Sequence, residues 1–196
     1  MKRFRQRNKK LPLRVNRLVA ILTLQTLSMQ RVLVIGNCGA GKSTFSCRLA
    51  KATGLPLVHL DKAYWSAGWV EPPKEAWAAR VQALVAEDAW IMDGNYSGTF
   101  HLRFPRADTV IWLDVGRWTC LGRILKRNLR YYGRARPDMA SGCHERFSPA
   151  FLHYVFFGFP QRKERILACL AEFPGKAYVL QTRPAQERFL QGLPNS

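Results

Sequence analysis

Gly36, Asn37, Cys38, Gly39, Ala40, Gly41, Lys42 and Ser43 satisfy the pattern G-x-x-x-x-G-K-[ST], whose chemistry is the binding of a nucleoside triphosphate. Glycines let such a loop curl until several backbone N–H groups point at one anion. The helix that follows adds the positive end of its dipole. Lys42 is spaced to reach the β- and γ-phosphates and the Ser43 hydroxyl to ligate Mg²⁺, with Thr44 closing the nucleotide-binding run. The pattern is silent on where the γ-phosphate goes.

Other residues are candidates for that second half of the chemistry. Asp61, Asp93 and Asp114 each follow a short apolar run. Asp114 is placed as a Walker B acid, holding Mg²⁺ directly or through water. Asp61, in His-Leu-Asp-Lys-Ala-Tyr, is placed to accept a proton from an attacking hydroxyl or to hold a substrate hydroxyl. Asp93 opens Asp-Gly-Asn-Tyr-Ser-Gly, whose small residues allow a ligand to approach the backbone. Tyr64, Asn95 and Tyr96 accompany these acids as substrate-binding candidates, and Arg103 and Arg106 as binders of an acceptor's anionic group. Each aspartate is also a residue type that caps turns and helices. Arg123, Arg127, Arg130 and Arg134 are spaced four, three and four apart and share a helical face. The opposite face carries Trp118, Leu121, Leu125 and Leu129. The arginines read as a lid that closes over phosphates, with Arg123, Arg127 and Arg134 stabilising charge during transfer. A solvated basic face or a nucleic-acid patch is the competing reading. His59, His101, His144 and His153 have no evident partners in the sequence.

The elements that must position these groups follow from periodicity. Val32 to Ile35 is an apolar run fit for a buried strand, and Lys42 to Ala52 is helical, closed by Thr53-Gly54. Further strands are expected at 57–60, 90–92, 109–113 and 177–180. Helices are expected at 72–87, 117–132, 151–159, 161–173 and 184–190. Short apolar strands alternating with helices predict an α/β three-layer sandwich around a five-stranded parallel sheet. In such sheets ligands gather at the carboxyl ends of the strands, where the P-loop and the three aspartates fall.

The chain has 196 residues and a net charge of +18. Residues 1–28 hold eight Lys/Arg and no acid, leaving 23 basic and 13 acidic residues elsewhere, a net +10. That balance favours anionic ligands. Five cysteines without C-x-x-C pairing argue against a disulfide framework or a zinc site and suggest a cytoplasmic protein. The apolar stretch 18–24 is too short to span a bilayer. Residues 1–28 are expected to be a disordered basic arm or an over-extended start. A basic helix lying on a membrane is the alternative for them, and 29–196 a single domain.

Taken together, the motifs resemble the adenylate-kinase-like branch of P-loop kinases. Ile-Met-Asp-Gly-Asn-Tyr is similar to the adenylate kinase strand that ends in Asp-Gly-Phe-Pro-Arg, although Pro-Arg does not follow directly. His-Leu-Asp-Lys-Ala-Tyr resembles the segment after the second strand of uridine-kinase-like enzymes, where the Asp is a base. The P-loop, Leu-Asp-x-x-Tyr-Trp-x-x-Gly-Trp (60–69), Asp-Gly-Asn-Tyr-Ser-Gly (93–98) and the arginine segment together resemble the FlaR-like "DNA topology modulation protein" family, over roughly residues 30–190. The resemblance implies a P-loop NTPase fold of the nucleoside/nucleotide-kinase type with an Arg-rich helical lid. It implies ATP and Mg²⁺ as cofactors, and transfer of the γ-phosphate to a small acceptor. The alternative is a nucleic-acid-associated ATPase that affects DNA topology.

Overall fold

The computed structural model describes residues 29–134, 136–145 and 147–193. The expectations for residues 1–28 lie outside the described residues. The chain runs β1 (Arg31–Gly36), α1 (Lys42–Thr53), β2 (Leu57–His59), α2 (Leu60–Tyr64), α3 (Lys74–Ala86), β3 (Trp90–Asp93), α4 (Phe100–Arg103), β4 (Thr109–Leu113), α5 (Arg117–Tyr131), α6 (Pro149–Phe157), α7 (Phe159–Ala171), β5 (Lys176–Val179) and α8 (Arg183–Gln191). The five strands form one sheet in the order β2-β3-β1-β4-β5. Every pairing is parallel, as the alternation of strands and helices predicts.

The strand sequences explain this order. β3 is buried throughout, as are β4 and all of β1 except Arg31, so these strands are apolar on both faces and occupy the middle. β2 and β5 are partly exposed and take the edges. Alternation sends Val32, Val34, Ile91, Ile111 and Leu113 to one face, against Phe45 and Leu49 of α1 and Leu193 beyond α8. It sends Leu33, Ile35, Met92, Val110 and Trp112 to the other, against Trp77, Val81 and Val85 of α3 and Ile166 of α7.

Two expectations are corrected by the packing. The second strand stops at His59, and Asp61 lies in the first turn of α2 rather than at a strand end. In α5 the buried residues are Cys120, Ile124 and Asn128. The expected apolar face is turned outward: Trp118, Leu125 and Leu129 are exposed. The reason is local. The Cys120 carbonyl lies against Gly39 of the P-loop, and Asn128 faces the buried carboxylate of Glu145, so tertiary contacts set the roll of this helix.

Candidate functional site

β1 delivers the P-loop between two neighbours. A Cβ on Gly36 would lie 2.5 Å from the Leu113 carbonyl oxygen, and one on Gly39 2.4 Å from that of Cys120. Gly39 also adopts φ +81°. Only glycine lets the loop pass beneath β4 and α5. The Gly36 N–H donates to Asn95 Oδ1 at 2.9 Å. The Asn37 carbonyl accepts from Ala40 N–H at 3.0 Å and from Lys42 Nζ at 3.2 Å. Lys42 is the first residue of α1, whose first turn contains no acid, so its ammonium and the helix N-terminus act on the loop with the same sign.

Beside this loop lies a cavity of about 270 Å³, lined by Thr44, Phe45, Arg48, Arg123, Arg183 and Gln186 among others. That volume approaches the lower end of small-molecule sites, roughly 300 Å³. α1 and α8 are braced across it by a two-pronged ion pair, Arg48 to Glu187, at 2.6 and 2.5 Å. Arg183, Gln186 and Glu187 carry no motif in the sequence and were not among the expected site residues. They reach the cavity because α8 packs on α1.

On the other side of β1, the ends of β2 and β3 bring together Asp61, Tyr64 and Tyr96. The Tyr96 hydroxyl donates to Asp61 Oδ1 at 2.7 Å. Burial, then the negative charge of Asp61, push the Tyr96 hydroxyl well above its ordinary pKa, so it stays a donor. The Tyr64 and Tyr96 rings are 4.7 Å apart, and Trp77 lies 5.0 and 5.2 Å from them. Tyr96 holds φ +38°, a region disfavoured for a side chain of its size.

What holds it there is Arg103. This residue, expected to bind an acceptor's anion, is instead fully buried. Its guanidinium donates to the carbonyls of Gly94 (3.1 Å), Asn95 and Tyr96 (2.9 Å) and to Thr99 Oγ1 (3.2 Å). Burial lowers its pKa to about 9, which still leaves it charged at neutral pH. Arg103 therefore sets the loop that aims Asn95 at the P-loop and Tyr96 at Asp61. Arg103→Met is expected to leave the Gly94 and Asn95 carbonyls without this donor, while the Tyr96 carbonyl keeps the Thr99 N–H and hydroxyl, and to cost about 2 kcal/mol or more, read as a lowered urea midpoint at unchanged slope. Arg106, the other expected anion binder, donates to the Val85 carbonyl at 3.1 Å.

Asp93 is buried on the α1 face of the sheet and its Oδ2 meets His59 Nδ1 at 2.9 Å. His59 Nε2 in turn lies 3.7 Å from Cys47 Sγ. The hydrogen bond to Asp93 raises the His59 pKa despite burial. The partner of His59 lies 34 residues away, beyond any local spacing rule.

Asp114, expected to share a metal with Ser43, is engaged by other side chains. Asp114 Oδ2 accepts from Lys163 Nζ at 2.8 Å and from Gln181 at 3.1 Å. Lys163 belongs to α7 and lies over the Trp112 ring, so this carboxylate is engaged on the face opposite α1. Among the described residues no three His, Cys, Asp or Glu side chains gather to hold a metal ion. The donors beside the loop are hard oxygens, which fit a Mg²⁺ bound chiefly through phosphates and one or two protein ligands.

The arginine segment divides. Arg123 Nη1 donates to the Ala40 carbonyl at 3.1 Å and reaches the loop directly. Arg127 pairs with the buried Glu145 at 2.9 Å, and Arg136 with the same carboxylate at 2.8 Å. Arg134 lies past the end of α5, exposed, with its carbonyl accepting from the Glu145 N–H. Glu145 thus ties the segment after α5 back onto the helix. That segment also meets the loop after α2, where Gly68 N–H donates to the Gly142 carbonyl at 3.1 Å and Trp69 Nε1 to that of His144 at 2.9 Å.

No protein-family model matches the chain, and no curated protein matches it. Among solved structures, the shikimate kinase of Acinetobacter baumannii in complex with shikimate is similar at a TM-score of 0.52 and 13% identity, over 84% of this chain and 90% of that one. A shikimate kinase of Bacteroides thetaiotaomicron gives 0.49 and 16%, over 84% and 96% of the two chains. The deoxyadenosine kinase of M. mycoides with bound dCTP gives 0.46 and 15%, over 82% and 96%. The likeness is one of fold: a five-stranded parallel sheet flanked by helices, the kinase-like P-loop NTPase architecture.

Proposed function

We propose that this chain is an ATP-dependent phosphotransferase that moves the γ-phosphate to a small acceptor carrying a hydroxyl or phosphate. One observation carries the reading. The P-loop lysine and the Asp61–Tyr96 pair stand at the same carboxyl edge of the sheet, and one short segment serves both. Asn95 bonds the P-loop, and Tyr96 bonds Asp61. A phosphate donor and a base for an acceptor are therefore held in mutual register.

In this reading residues 36–44 cradle the phosphates, with the base and ribose in the cavity lined by Phe45, Arg183 and Gln186. Lys42 and Arg123 face the transferring group. Mg²⁺, held by Ser43 and the phosphates, would offset charge on the β- and γ-oxygens. Asp61 orients the acceptor hydroxyl and takes its proton, while Tyr96 fixes the carboxylate. Tyr64, Asp93 and Asn95 line the acceptor side, and Arg127 and Arg134 belong to the lid segment. Catalysis is mainly positioning and electrostatics, as is general for phosphoryl transfer. Kinship with the DNA topology modulation proteins is part of this proposal, supported by the motifs at 60–69 and 93–98.

The test is ADP release from Mg-ATP across a panel of nucleosides, nucleoside monophosphates and small hydroxylated metabolites, with supercoiled DNA in parallel. Stimulation by one small molecule is the expected result and names the acceptor class. Stimulation by DNA alone would overturn the reading in favour of a nucleic-acid-dependent ATPase.

A further inference from the structure

The outer surface of α5 and α6 is apolar where the surface of a P-loop domain has no need to be. Leu129 is 84% exposed, Trp118 69% and Phe157 62%. Trp118, Leu125 and Leu129 fall at spacings of seven and four, which makes them one stripe on the helix. The stripe continues onto the neighbouring helix. Trp118 packs edge-on against Phe156 at 4.6 Å, and Phe156 against Phe157 at 5.1 Å. Tyr132 beyond α5 and Tyr154 on α6 are also exposed.

The charge around the stripe is of one sign. From Val115 to Pro137 there are seven basic residues and no acid. Two of these, Arg127 and Arg136, are paired with Glu145 and, for Arg136, with Asp138 as well, and Arg123 turns to the P-loop. Arg117, Lys126, Arg130 and Arg134 are exposed, and no ion pair among the described residues engages them. Arg117 lies over the Phe156 ring and Arg130 over that of Tyr131.

From this pairing of an exposed Trp/Leu/Phe stripe with uncompensated arginines and lysine, we infer that α5 and α6 form a docking surface for an anionic lipid bilayer. A helix of this composition lies in the membrane interface with its apolar stripe among the acyl chains and its cations at the headgroups. Charge complementarity selects this occupant. A second copy of the chain would set two basic surfaces face to face. Duplex DNA satisfies the cations but has no use for two exposed leucines, since its backbone contacts are hydrogen bonds and ion pairs. Among the described residues no helix is long and apolar enough to cross a membrane, so the contact is with the bilayer surface.

The experiment is flotation of the full chain with vesicles of phosphatidylcholine alone and of phosphatidylcholine and phosphatidylglycerol in equal parts. Flotation with the anionic vesicles only, weakened by salt, is expected. Leu129→Ser and Trp118→Ser should each lower the partition coefficient by roughly tenfold, from the apolar area they withdraw. Lys126→Glu should lower it several-fold at low salt without touching the apolar stripe. Leu129 and Lys126 are on the surface, so unchanged circular dichroism is expected of both variants. Absence of flotation overturns the proposal, and so does equal flotation with neutral vesicles. Flotation that ignores all three substitutions would locate the contact elsewhere in the chain and overturn it too. Loss of duplex DNA binding in these variants, with vesicle binding intact, would assign the surface to nucleic acid instead.

Discussion

Lys42→Ala is expected to leave the fold intact and to lower ADP release by about 10²- to 10³-fold, the scale for removing one charge-stabilising group from a transition state. The lysine sits at the first position of α1, partly exposed, with its ammonium on the Asn37 carbonyl. Alanine is a better helix former than lysine, and no buried partner loses its only bond, because the Asn37 carbonyl keeps the Ala40 N–H. The thermal midpoint should therefore move little while turnover collapses. A loss of activity matched by a loss of structure would remove Lys42 from the chemistry. Lys42→Arg should not restore turnover, because a planar guanidinium on a longer stem does not reproduce a point charge at the loop.

Asp61→Asn tests the other half of the reaction. The amide oxygen still accepts from the Tyr96 hydroxyl, so the local structure should survive, but the group can no longer take a proton. A fall in kcat of about 10²- to 10⁴-fold is expected, the usual range for a general base, with KM for the acceptor changed much less. Tyr96→Phe separates orientation from base strength: it removes the 2.7 Å bond to Asp61 and leaves the carboxylate in place. Its effect on kcat should be the smaller of the two. If Asp61→Asn raises KM and spares kcat, Asp61 is a binding group and the base lies elsewhere.

Short-range features of this chain are legible in its sequence, and long-range ones are not. The P-loop pattern was legible because it is contained in nine consecutive residues, 36–44. The parallel sheet was legible because β1, β3 and β4 are buried on both faces and must be apolar without alternation. The Asp61–Tyr96 pair was legible only as two separate motifs. Nothing in either states that the chain, over a sequence separation of 35, returns the hydroxyl to the carboxylate.

Three assignments moved once the helices were packed. Arg103 reads from sequence as a cation near a ligand, yet it is fully buried with its N–H groups engaged by four oxygens of its own loop, which keeps it from an external anion. Asp114 reads as a metal ligand, yet Lys163 from α7 meets it first. The arginines of α5 read as one lid face. Glu145, late in an irregular stretch, claims Arg127 and Arg136, and leaves Arg123 to touch the P-loop.

By itself the sequence determined the glycine-rich loop between β1 and α1 and the sheet of parallel strands. Those depend on local spacing and on burial, both written in consecutive residues. The tertiary structure alone decided which charges are free. It fixed the roll of α5, which buries Cys120 and Ile124 and turns Trp118 and Leu129 to solvent. It also supplied the partners of His59, Arg103 and Asp114. A charge is spent by whichever opposite group or carbonyl comes within about 3 Å, and only the folded chain sets that distance.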